Sequence, residues 1–236
     1  MRVPPVDLSY LREQFRELAA QVCEAWDASS HAATEVDTPR LLRDALLQLA
    51  DMLAHVEGAA SDPEANPAEI NTLGEYGLHL LEEQSQLAAS LDQATLANQI
   101  EQQCLPFALW IARHGGEIRH LAPVVNALAH YANMASHPQT MGHLYTCCCE
   151  LIEAASPAAP HPWRLLLLNR AIVATRSHNP ELMEAAFDAI VEHLPGEAHR
   201  FFAEGMEQMA VIDYPDPVRD VVRRYFLTHG MPQRLH

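Results

Sequence analysis

From Leu8 onward the apolar positions recur as Leu11, Phe15, Leu18, Val22 and Trp26, a spacing of three and four that lines one side of a helix between charged residues. The same register returns after Thr38 and Pro39, where Leu42, Ala45, Leu46, Leu49, Leu53 and Val56 form a second stripe ending at Gly58. A capping side chain followed by proline opens this helix, because proline lacks an N–H that would be unpaired in a first turn anyway. The same device recurs at Asn66 and Pro67, Asn179 and Pro180, and Asp216 and Pro217. Between these marks the periodicity predicts helices over 67–90, 93–113, 117–134, 138–155, 161–177, 180–193, 197–211 and 217–228, about ten with the first two. No alternating run of β-branched residues and no Asn-Gly or Asp-Gly turn occurs, so no strand is expected.

Two places interrupt the pattern. Gly74 and Gly77 lie inside the third helix, and Pro106 falls inside the fourth, where it removes a hydrogen bond and bends the rod. A kink or break near Leu105 is expected, and any unusual site is expected between 67 and 113. Elsewhere the connections are short, which makes successive helices antiparallel neighbours. The fold class is therefore all-α, about ten helices in antiparallel pairs, closing as an α-solenoid or as an irregular helical bundle. The chain reads as a single all-α domain over 1–236, with an N-terminal hairpin at 1–57, a linker at 58–66 and an array of helix pairs over 67–236.

Two similar hairpins end at Pro157 and Pro195, 38 residues apart, and in the second Phe187 lies eight residues before Pro195 and sixteen after Ala171. The hairpin from Leu167 to Pro195 resembles the tetratricopeptide repeat, in which a small residue, an aromatic and a closing proline mark the unit. Met183 and Ile190 stand where that repeat prefers small residues, and the aromatic positions of its first helix are unmatched. The resemblance implies paired helices with a concave face and carries over no binding residues.

Charge narrows the range of partners. All 15 basic residues are Arg, against 31 Asp and Glu, for a formal charge of -16. Such a surface repels phosphate backbones and anionic lipid, so neither nucleic acid nor a membrane is expected as a partner. The one basic cluster, Arg219, Arg223 and Arg224, is too small to reverse this. The N-terminus lacks the apolar stretch of a secretory signal, and no run approaches the roughly 18 apolar residues of a membrane span. Five cysteines, three of them consecutive at Cys147, Cys148 and Cys149, make a poor disulfide framework and fit a reducing cytoplasm.

Candidate chemistry is sparse. His143, Cys147 and Glu150 share one helix face at i, i+4 and i+7, a donor set that suits zinc, with His137 or His130 as a fourth ligand. The set stands alone, and buried cysteines that behave as small hydrophobes explain it more simply. Glu117 and His120 form one Glu-x-x-His, where helical di-iron sites need two, so a solvated helix start is the simpler reading. Fourteen histidines could support a pH response, although scattered solvated imidazoles account for them as well. No G-x-S-x-G elbow, GxGxxG or phosphate-binding loop occurs, so no cofactor and no catalytic activity are expected.

The C-terminal segment is the most distinctive. Phe201, Phe202, Met206 and Met209 form a soft apolar stripe, followed by Tyr214 and a helix carrying Val218, Val221, Val222, Tyr225 and Phe226. Most of this stripe is expected in the core of the last hairpin. Any exposed part would form an adaptable docking surface rimmed by Arg219, Arg223 and Arg224. The resulting expectation is a cytoplasmic, non-catalytic interaction, scaffold or adaptor module that holds a protein or peptide partner in a groove between helix pairs. The acidic surface favours a basic partner. The alternatives are a metal-binding protein or metalloenzyme using His143, Cys147 and Glu150, and a homo-oligomer built on the first helix.

Overall fold

Asp7 begins the first helix by capping it: its carboxylate accepts from the Tyr10 backbone N–H at 2.8 Å, which satisfies one of the free donors of the first turn. The resulting α1 (Leu8–Asp27) turns Leu8, Leu11, Phe15, Leu18 and Val22 inward, with Trp26 half-buried at its end. The computed structural model describes residues 5–29, 37–59, 67–156 and 160–230. Among them lie α2 (Thr38–Ala59), α3 (Pro67–Ser90), α4 (Ala94–Gln102), α5 (Cys104–Arg113) and α6 (Ala122–Met134). They are followed by α7 (Pro138–Ala154), α8 (Pro160–Arg176), α9 (Pro180–His193), α10 (Pro195–Val211) and α11 (Asp216–His229). The fold is all-α.

The chain divides into two compact units. One runs up to Tyr131 and takes in Glu153–Pro162; the other comprises Ala132–Ile152 and Trp163 onward. In the first, α1 packs against α2, α3, α4 and α5, so the α1 stripe that suggested a seam for a second copy is covered by the same chain. The N-terminal hairpin thus shares its core with α3–α5, while Asn66 and most of the expected linker lie outside the described residues.

The interrupted stretch has a packing explanation. Gly74 and Gly77 do not break α3; they let α5 and α2 come close. A Cβ on Gly74 would stand 2.8 Å from Ile111, and one on Gly77 would stand 2.5 Å from Phe107 and 2.6 Å from Leu49. The expected break falls at Gln103, between α4 and α5, which makes Pro106 the third residue of α5. There its missing N–H is one of those without an intrahelical partner, so the proline costs no hydrogen bond.

The helix expected from residue 117 begins only at Ala122. Gly115, at φ +75°, turns the chain out of α5, a left-handed conformation that suits glycine just past a helix end. The segment after it runs extended along α3. Ile118 is buried and pairs with the segment after α7, its N–H donating to Ala154 O at 2.7 Å and its carbonyl accepting from Ser156 N at 2.9 Å.

In the second unit, Asn179 caps α9 by accepting from the N–H groups of Glu181 (3.0 Å) and Leu182 (3.4 Å). Asp216 is not the cap of α11; Pro215 holds that position, and Asp216 lies in the first turn, where its negative charge still suits the helix dipole. α9, α10 and α11 pack on one another around Phe187. That ring meets Phe201, Phe202 and Tyr225 edge to face, at centroid distances of 5.9, 5.2 and 5.1 Å. Among the described residues no helix is long and apolar enough to cross a membrane.

Candidate binding groove

On α8 the consecutive Leu165, Leu166, Leu167 and Leu168, with Ile172, spread apolar surface around the helix without burying all of it. Leu166 and Leu167 are buried, Leu165 and Leu168 are half-buried, and Ile172 is 44% exposed. A helix apolar on every side must cover more than one face. One side of α8, together with α10 and the turn into α11, lines a half-open groove of about 670 Å³. Leu168, Ile172 and Thr175 form one wall and Phe201, Gly205 and Met209 the other, with Ile212 and Tyr214 at one end and Val222 below. Gly205 keeps the wall low: a Cβ there would lie 3.4 Å from Val222.

The apolar edges are open to solvent, with Ile212 at 45% exposure and the neighbouring Val211 at 82%. Charge on the rim is mainly acidic. Glu204 and Glu207 of α10 line the groove and are exposed, Glu204 pairing with Arg200 at 2.6 Å. The cation on the opposite wall, Arg176, is already engaged by two backbone carbonyls, of Ala132 and Ala135, each at 2.7 Å. Burial raises the Tyr214 phenol above its ordinary range, so it remains a neutral donor, and its ring meets His178 edge to face at 5.6 Å.

The residues expected to dock a partner separate into several roles. Phe202, 1% exposed, and Met209 are buried, while Phe201, Met206 and Tyr214 are half-buried. Phe201, Phe202, Met209 and Tyr214 line the main groove; Met206 and Met209 line a second, shallower one of about 530 Å³ on the other flank of α10. Arg219 and Arg223 border this second groove. Arg219 is held by Tyr214 O and Asp213, each at 2.7 Å. Arg224 points elsewhere, pairing with Glu184 of α9 and lying over the Tyr225 ring. The three arginines therefore form no continuous rim. The α8 wall, with Leu168 and Ile172, was not expected from sequence.

The candidate metal ligands on α7 do not converge. His143 is exposed, Cys147 buried and Glu150 half-buried. Among the described residues, the group whose ligand atoms all lie within 4.8 Å of one another is instead His79, Glu82 and His120. Glu117 and His120 share no helix face. Glu117 hydrogen-bonds Ser156 and pairs with Arg119 at 3.0 Å, which together, the Ser156 bond first, hold its carboxyl below the usual range. His120 turns onto α3.

These features define a class, an all-α protein of short-linked helices with an apolar, acid-rimmed groove. No family model, curated protein or solved structure matches the chain.

Proposed function

We propose that this chain is a non-catalytic binding module that holds a peptide segment of a protein partner, apolar on one face and basic at its flanks, between α8 and α10. The observation that carries this reading is the groove itself: about 670 Å³, open along one side, walled by Leu168, Ile172, Phe201 and Met209 and bordered by Glu204 and Glu207. Such dimensions suit a few anchoring side chains of a helix or extended segment. The acidic rim and the overall charge of -16 favour cationic flanks and disfavour nucleic acid. None of the five cysteines is joined in a disulfide and four are buried, which fits a reducing compartment, and we assign the protein to the cytoplasm on that basis.

A displayed peptide library, selected on the wild-type protein and counter-selected on Ile172→Asp, tests the proposal. Enriched sequences should carry two or more apolar anchors flanked by Lys or Arg. Absence of enrichment, or peptides that bind the Ile172→Asp protein equally well, would refute it.

A further inference from the structure

The segment between α5 and α6 lies along α3 in register. The Glu117 backbone N–H donates to Asn71 Oδ1 at 2.7 Å, the Arg119 guanidinium reaches Glu75 at 3.9 Å, and His120 Nε2 meets Glu82 Oε2 at 2.7 Å. Positions 71, 75, 79 and 82 share one face of α3, since they are spaced by four, four and three. The segment is anchored by buried Ile118, whose N–H and carbonyl both pair with the segment after α7. The placement of His120 therefore follows from the fold rather than from a free side chain. Its ring stacks on His79 with centroids 3.9 Å apart and planes 23° from parallel.

The geometry points to a divalent transition-metal site formed by His79, Glu82 and His120, with zinc as the resident ion. Their ligand atoms all lie within 4.8 Å of one another, so rotation of the exposed His79 ring brings three donors onto one centre. Two imidazole nitrogens and one carboxylate oxygen are a borderline donor set, which suits zinc and its first-row neighbours better than magnesium or calcium. Arg119 is directed to Glu75 and Glu117, leaving the Glu82 carboxylate as the anionic ligand. On binding, His120 coordinates through Nε2 as a neutral imidazole with its proton on Nδ1, a neutral ring shifting that proton from Nε2 and a protonated ring releasing one to solvent, and the hydrogen bond that Glu82 accepts from His120 is exchanged for two metal bonds. Three protein ligands leave the remaining positions of the ion to water. The site lies in the unit that does not hold the groove, and neither reading depends on the other.

The test is titration of the full chain, stripped with chelator, with zinc by calorimetry and with cobalt by absorption spectroscopy. One equivalent should bind, and the cobalt spectrum should show d–d bands without an intense thiolate charge-transfer band. His79→Ala, which alters an exposed side chain and should leave the helical circular dichroism unchanged, should weaken binding by about tenfold or more, as should Glu82→Gln and His120→Asn. Absence of binding would overturn the proposal. So would an unchanged affinity in His79→Ala, a thiolate band that assigns the ion to cysteines, or a loss of binding in His143→Ala of the size expected for His79→Ala.

Discussion

A Cβ on Gly77 would stand 2.5 Å from the Phe107 ring, closer than real side chains approach, so α3 and α5 pack at a distance only glycine permits. Gly77→Ala should therefore destabilise the protein by about 1–3 kcal/mol through overpacking, despite the better helix propensity of alanine. Gly142, inside α7, has nothing within 4 Å of its would-be Cβ. Gly142→Ala should stabilise by about 0.5–1 kcal/mol, because only the backbone entropy changes. Urea midpoints for both variants check the opposite signs; two shifts in the same direction would contradict the packing argument.

That contrast shows what could be read from the chain alone. Helix positions followed from local periodicity, and nearly every predicted span lies within a few residues of the observed one. A glycine inside a helical pattern carries no mark of what packs on it, so Gly77 read as an interruption. The α6 start was misplaced because the turn at Gly115 and the pairing of Ile118 with Ala154 and Ser156 depend on a segment some forty residues away. For the same reason His79 and Glu82 were silent until the fold brought His120 beside them. Leu168 and Ile172 were legible in principle, since the apolar residues surrounding α8 signal a helix covered on more than one side.

Two buried thiols predict a loss of stability in alkali. Burial raises Cys104 and Cys148 above the ordinary thiol value of 9.0. Well below that value both states keep their protons. Above it the unfolded chain ionises while the folded one does not, so stability falls as pH rises past 9 toward the folded values. Each thiol should contribute a slope that is about half of 1.4 kcal/mol per pH unit at pH 9 and approaches about 1.4 above it at 25 °C. Urea denaturation between about pH 7.5 and 9.5 measures this, and Cys148→Ala should flatten the curve, the onset of tyrosine ionisation at the upper end being common to both proteins. Equal slopes in wild type and variant would remove the explanation.

Arg176 closes the end of α6. Its two terminal nitrogens donate to Ala132 and Ala135 carbonyls, both on buried residues, and supply partners that a helix C-terminus lacks. Arg176→Ala should cost about 2–3 kcal/mol, in line with hydrogen bonds from a charged donor to buried acceptors. Arg176→Lys should recover less than half of that, because a single ammonium cannot match the fork that spans both carbonyls. Thermal unfolding of the two variants decides this; a lysine variant as stable as wild type would show that charge alone suffices.

If the groove takes a basic, apolar peptide, its two kinds of contact should separate under salt. Glu204 and Glu207 are exposed on the rim, so their attraction for cationic flanks is screened within about 10 Å at 0.1 M salt. Glu204→Gln and Glu207→Gln should each weaken a selected peptide by roughly two- to fivefold at low ionic strength, chiefly through slower association, and by much less at 0.5 M. Leu168→Ala in the apolar wall should act differently, raising the dissociation rate by a factor that salt leaves unchanged. Fluorescence polarisation and stopped-flow mixing across a salt series measure both effects. A rim substitution whose effect persists at high salt would place a buried ion pair in the groove, and a wall substitution without effect would put the peptide elsewhere.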